Sequence, residues 1–349
     1  MCGLTTLGAG SISFYQLDGM EAWARVNRFS PHLLRRCRAA YFKKGLSVEA
    51  VQALVPDEVR AAFAQQVRLH SLALESRHDS AVDGATKLIF RTADGLRLES
   101  VLLRITSGRT SLCISSQVGC AAGCAFCATG QMGLSRNLTM EEILDQVVLA
   151  MRLLREEGRT LRNVVFMGMG EPLHNEKAVY AALEVLRDPR GFYLAERHLL
   201  VSTVGMTAAM LRFVDRFPKI RLALSLHSAR QEVRRLLMPA GKSQSLEKLR
   251  AILPEVARHG NFMVEYLLLR GMNDTLDDIA ALVDLLAGYP VHINLIQFNV
   301  YPGSDFQPVT TEAREAFAAA LRRAGFKVTL RYSLGQDIAA ACGQLAGSA

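Results

Sequence analysis

The chain reads as an α/β protein, a partial (β/α) TIM-like barrel behind a small N-terminal helical accessory domain. Two observations point there. From about residue 112 onward, short apolar runs alternate with amphipathic helical runs, and neighbouring parallel strands need such crossovers. Residues 1–85 instead carry helical patterns without strand alternation or internal repeat, so the division falls near residue 85, into 1–85 and 86–349.

Taken in order, helices are expected at residues 20–28, 31–43, 47–54 and 56–72. Two alternating runs, 86–92 and 96–105, flank Ala93-Asp94-Gly95, a hairpin signal. Strands are then expected at 112–116, 163–167, 199–203, 222–226, 263–268, 292–298 and 327–332. Helices at 139–156, 177–186, 207–212, 229–237, 245–258, 276–287 and 311–324 separate or follow them. The first of these starts clearly. Thr139 can cap it, Glu142 is placed to complete a capping box, and Ile143, Val147, Met151 and Leu154 recur on one face. In a barrel, chemistry gathers at the C-terminal ends of the strands.

Half the residues are hydrophobic, enough for a sizeable core in 349 residues. Residues 1–17 carry no basic n-region, and the uncharged stretches 110–135 and 285–304 are broken by Gly, Ser, Cys, Pro and Asn. Neither a secretory signal nor a membrane span is expected, and a cytoplasmic protein with reduced thiols is. The net charge of +8 favours an anionic partner, nucleic acid being the commonest. Arg25, Arg28, Arg35, Arg36, Arg38, Lys43 and Lys44 face the single acid Glu21 in one run. That run reads equally as a solvated helix face.

The chemistry concentrates in Cys120-Ala-Ala-Gly-Cys124-Ala-Phe-Cys127, directly after the first expected barrel strand. Three close thiolates can hold three corners of a cubane iron–sulfur cluster and leave one iron open. Structural zinc would want a closed tetrahedral set, and no second Cys or His pair follows. An electron-transfer cluster would want a fourth cysteine. Small polar sets fall at the other strand ends: Gly168-Met-Gly170-Glu171-Pro172, Ser202-Thr203, Ser225-Leu226-His227 and Asn299. Each alone is an ordinary turn motif. Cys113 stands just before the cysteine knot and Cys342 after the last strand, where composition alone makes it a buried helical thiol; Cys2 and Cys37 read as structural.

The knot resembles the signature of radical S-adenosylmethionine (SAM) enzymes, in which SAM occupies the open iron. With the segments 113–133, 166–172, 224–227, 293–299 and 337–347 added, the chain resembles the RlmN/Cfr family of radical SAM RNA adenosine methyltransferases from about residue 83 to its end. The last segment carries most of the specificity, because other radical SAM enzymes lack it.

The resemblance implies a [4Fe–4S] cluster on Cys120, Cys124 and Cys127 and two SAM molecules per turnover. It implies a SAM site lined by Gly170, Glu171, Ser202, Ser225, Leu226, His227 and Asn299. One SAM methylates Cys342. The other yields a 5′-deoxyadenosyl radical that takes hydrogen from the S-methyl group, and the resulting methylene adds to adenine. A base, matched by Glu99, removes the ring proton, and Cys113 attacks the Cys342 sulfur to release product and leave a disulfide. Between Glu99 and Cys113 the chain has one residue more than the family pattern. The implied substrate is an adenosine of 23S ribosomal RNA, with transfer RNA as a second target, gripped by the N-terminal helices. Gly170-Glu171-Pro172 resembles the type that methylates carbon 2, while residues 192–197 and 237–239 have features of the carbon-8 type. A flavodoxin-type electron donor and a monomer are expected. Two rivals differ in what they need. A glycyl-radical activase would have no use for Cys113 and Cys342, and a non-catalytic iron–sulfur RNA-binding protein would need neither an open iron nor the strand-end sets.

Overall fold

The computed structural model describes residues 11–239 and 244–346; Cys2 and Gly347 lie outside them. Near the N-terminus, Ile12–Ser13 pairs in parallel with Val67–Arg68. Between these two short strands run helices α1 (Leu17–Val26), α2 (Pro31–Arg38), α3 (Val48–Gln52) and α4 (Asp57–Gln66). Their core is aromatic: Phe14 stacks on Phe42, and Trp23 meets Phe63 edge-on.

One ten-stranded sheet follows. Its strands are β1 (Leu72–Asp79), β2 (Ala85–Thr92), β3 (Arg97–Arg104), β4 (Thr110–Cys113), β5 (Asn163–Phe166), β6 (Leu199–Thr203), β7 (Arg221–Ser225), β8 (Phe262–Leu268), β9 (His292–Gln297) and β10 (Lys327–Arg331). They lie side by side in chain order. β1 through β4 pair antiparallel, and β4 through β10 pair parallel. The sheet ends at β1 and β10 without closing, the open (β/α) barrel that the strand–helix rhythm predicts.

Each parallel step is bridged by helix. After a short helix α5 (Ala128–Gln131) come α6 (Met140–Glu156), α7 (Glu176–Arg187), α8 (Thr207–Arg216), α9 (Gln231–Leu237), α10 (Leu246–Ala257), α11 (Leu276–Leu286) and α12 (Thr311–Arg323). In α6 the expected capping box between Thr139 and Glu142 is present. Ile143, Val147 and Leu154 are fully buried. A cap contributes about 1 kcal/mol and each such side chain roughly 1.5–3 kcal/mol, so packing, more than capping, holds α6 in place.

β1 departs from the sequence reading. The helix expected at 56–72 stops at Gln66, and the sheet already begins at Leu72, ahead of residue 85. Past Leu72, β1 buries almost nothing, so it carries no apolar alternation to read. Its entry into the sheet is fixed by Asp145 on α6, a fully buried carboxylate that accepts hydrogen bonds from the backbone N–H groups of Ser71 and Leu72 at 2.5 and 2.8 Å and from the Tyr15 hydroxyl.

Arg38 departs as well. It is buried and donates to Glu21 at 3.1 Å and to the Leu17 carbonyl, so it belongs to the helical core. Arg25, Arg28, Arg35, Arg36, Lys43 and Lys44 are exposed. Among the described residues, no helix is long and apolar enough to cross a membrane.

Candidate active site

A cavity of about 480 Å³ opens at the C-terminal ends of the parallel strands, and Cys113, Cys120, Cys124, Cys127 and Cys342 all line it. The three knot cysteines follow β4 on a tight loop. Gly119 has a φ of +76°, and a Cβ there would lie 1.9 Å from the Gly133 carbonyl oxygen, so only glycine lets the chain turn at this point. The Cys120 N–H donates to that same oxygen at 2.8 Å, and the Ala125 N–H to Leu237 O at 2.9 Å.

Burial pushes all three thiols up: Cys120 to about 11, Cys124 well above its ordinary value, and Cys127 in the same direction. Cys124 lies within electrostatic reach of both its partners, and each neighbour adds to the rise. Three thiols converging on one cavity, costly to ionise there unless a cation takes up the charge, fit the soft donor set of an iron–sulfur cluster.

Cys342 reaches this loop from the far end of the chain. Its segment is clipped onto the loop by Ala128 N–H to Gly343 O at 2.8 Å and by the Thr129 hydroxyl to Leu345 O. From the other side, Asn299 Nδ2 donates to Cys342 O at 3.0 Å, and Gln344 Nε2 donates to Val300 O at 2.7 Å. Cys342 is accessible, but to the cavity it lines: protein surrounds it closely enough that burial raises its thiol. Cys113 is pushed up to about 12 by burial, with Cys342 adding to the rise and Arg331 offsetting it. The two thiols therefore sit within electrostatic reach of one another, and Cys342 likewise of Cys127.

Gly170, Glu171, Ser202, Ser225 and His227 line the same cavity. Glu171 accepts from Val204 N at 2.8 Å and Leu173 N at 3.0 Å, yet burial outweighs these bonds and raises its carboxyl to about 7. The hydroxyls of Ser202 and Ser225 are 3.1 Å apart on adjacent strands. Burial, with Arg234 adding, lowers His227 to about 3. Its ring is thus neutral; Nδ1 accepts from Leu267 N at 3.0 Å, and Phe126 stands edge-on at 4.7 Å.

Three expected site residues do not line the cavity. Leu226 is fully buried, its carbonyl accepting from Arg234. The Asn299 amide is committed to the Cys342 segment, donating to Ser333 Oγ at 2.9 Å and to Cys342 O, and accepting from Gln336 at 2.7 Å. Glu99 is fully buried on β3, two residues before Val101, which pairs with Cys113. Between Glu99 and Cys113 the chain turns at residues 105–109, where Ile105 N–H reaches Arg109 O at 2.9 Å.

Among the lining residues that no sequence motif marks, two are charged and sit beside the cysteines' end of the sheet. Glu265 on β8 is buried and accepts from Asn294 Nδ2 at 3.0 Å. Arg331 on β10 donates to Met167 Sδ at 3.3 Å and lies within electrostatic reach of Glu265, Cys113 and Cys342. A lone acid within the apolar run Phe262–Leu268 was the available signal.

An open (β/α) sheet with three thiols after its first parallel strand defines the radical SAM class, and residues 114–286 match the radical SAM superfamily model. A probable RNA methyltransferase of Rhodopirellula baltica is 48% identical over 343 residues, covering 97% of this chain and 89% of that protein. A dual-specificity RNA methyltransferase RlmN of Myxococcus xanthus is 41% identical, covering 88% of this chain and 86% of its own. The crystal structure of a radical SAM methyltransferase from Sphaerobacter thermophilus superposes with a TM-score of 0.89 at 36% identity, over 98% of this chain and all of that one. The chain belongs to the RlmN-type radical SAM RNA methyltransferases. It is a SAM-dependent enzyme with a [4Fe–4S] cluster and an RNA substrate, which sets aside the activase and the non-catalytic RNA-binding protein.

Proposed function

We propose that the enzyme methylates carbon 2 of an adenosine in 23S ribosomal RNA, through a methylated Cys342 that Cys113 later resolves. The convergence of Cys113 and Cys342 on one cavity with the knot cysteines carries this reading. The relatives are named dual-specificity RNA methyltransferases, which supports transfer RNA as a second substrate.

Cys120, Cys124 and Cys127 would hold the cluster, which supplies the electron that cleaves SAM. Gly170, Glu171, Ser202, Ser225 and His227 would hold SAM beside it, the Glu171 carboxylate accepting from its ammonium group. Leu226 and Asn299 would support that site from behind the wall. Cys342 Sγ takes a methyl group from one SAM and loses its thiol proton. A hydrogen atom passes from the methyl group to the 5′-deoxyadenosyl fragment of a second SAM, and the resulting methylene adds to the electron-poor adenine carbon. The adduct gives up its ring proton together with one electron, which would return to the cluster; two SAM molecules are consumed per product. Cys113, as its thiolate, then attacks Cys342 Sγ; the sulfur–carbon bond breaks with its electron pair to the methylene, which takes up a proton to become the methyl group, and a disulfide remains. Glu99, buried on the strand beside Cys113, is assigned the ring proton. A cytoplasmic monomer served by a flavodoxin-type donor completes the reading. Mass spectrometry of ribosomal RNA from a deletion strain tests it: the reading requires one adenosine to lose its carbon-2 methyl group, and an unchanged methylation pattern would refute it.

Residues 1–85 are assigned to gripping RNA. Neutralising the exposed Arg25, Arg35 and Arg36 together is expected to weaken RNA binding and to flatten its dependence on salt. The slope falls by about 0.7–0.9 for each phosphate no longer neutralised, while SAM cleavage without RNA stays at the parent level. An unchanged slope in a salt titration would return these arginines to an ordinary solvated face.

A further inference from the structure

An adenine that reaches Cys342 must leave its stack and enter the cavity. Its neighbour in the RNA is then left at the mouth with one π-face bare. Tyr332 directly follows Arg331 at the end of β10, lines the cavity, and is 64% exposed. Its ring lies over the guanidinium of Arg314, whose Cζ is 4.7 Å from the ring centroid. Arg314 is itself only 3% exposed and is anchored by a 2.7 Å hydrogen bond from Nη1 to Gln297 Oε1 at the end of β9. The ring is thus backed by a fixed cation while much of its surface remains open to solvent. A fixed, open aromatic ring beside a nucleic-acid cavity has the form of a base-stacking platform.

We propose that Tyr332, held by Arg314, stacks on the base adjoining the target adenosine and so compensates for the stacking given up when the adenine enters the cavity. This rests on the RNA methyltransferase reading and adds a specificity residue to it. Stacking tolerates any base, so the interaction favours an unpaired neighbour over one locked in a duplex.

The test uses the full-length, cluster-loaded enzyme and a hairpin RNA with an unpaired adenosine in its loop, made intact and with an abasic site at either neighbour. Tyr332→Ala is expected to weaken binding of the intact hairpin by about tenfold to a hundredfold, while Tyr332→Phe and Tyr332→Trp stay within about twofold. An abasic site at one of the two neighbours should cost the parent enzyme a similar factor and cost Tyr332→Ala nothing further. Alanine binding as tightly as the parent, or losses from the two changes that simply multiply, would overturn the platform and leave the RNA reading standing. Failure of the parent enzyme to bind RNA at all would overturn both.

Discussion

Cys342→Ala yields an enzyme that neither methylates RNA nor forms a covalent adduct with it, whereas Cys113→Ala stalls with RNA tethered through Cys342. That is the expected contrast, and it follows from what each thiol can do in the cavity both of them line. Cys342 is the accessible one, and its carbonyl and the residues just after it are tied to Asn299, Ala128, Val300 and Thr129. A sulfur held that firmly can carry one carbon from SAM to a base without losing its aim. Cys113 is buried on β4, with its thiol held near 12. Burial raises the Cys342 thiol as well, and Arg331 offsets both rises, so access decides: the less accessible Cys113 suits the late step, once the adduct lies beside it. Both losses of product should be complete within detection, so the diagnostic measurement is the adduct. A denaturing gel and the intact mass of each variant purified from cells should show an RNA-linked species for Cys113→Ala alone. Absence of that species, or normal methylation by Cys342→Ala, would refute the assigned roles.

The sequence disclosed the barrel because its inner parallel strands are largely buried, β6 and β8 throughout, and stand out as apolar runs between amphipathic helices. β1 escaped because an edge strand with one neighbour and a mostly solvated surface has no need of apolar alternation. In the site, motif spacing located the thiols, Glu171 and the two serines, since these sit on the strand ends that the spacing marks. Asn299 shows where that inference stops. Its place after β9 was legible, but the direction of its amide depends on the Cys342 segment 43 residues later in the chain. Glu265 was hidden for the opposite reason: it occupies a position within a buried strand, where the run around it looks like ordinary core, while Arg331 ends the half-exposed β10, where a basic residue is unremarkable. Arg38 was misread because a basic run in sequence does not say which of its members turns inward to Glu21.

Replacing Cys120, Cys124 and Cys127 together with alanine should remove the iron–sulfur cluster altogether. The anaerobically reconstituted parent is expected to bind about four irons per chain, and the triple variant close to none. The brown chromophore and SAM cleavage should vanish together. The fold should survive, because the knot lies on a loop above the strands, pinned by backbone hydrogen bonds from Cys120 to Gly133 and from Ala125 to Leu237 that alanine side chains leave intact. Circular dichroism matching the parent would confirm this and separate loss of the cluster from loss of structure. Glu171→Ala supplies the contrast within the same cavity. It touches the assigned SAM site without removing a thiol, so iron should be retained while SAM binding, followed by equilibrium dialysis, is lost. A triple variant that keeps a full cluster would show that other residues hold the iron, and the assignment of the knot would fall.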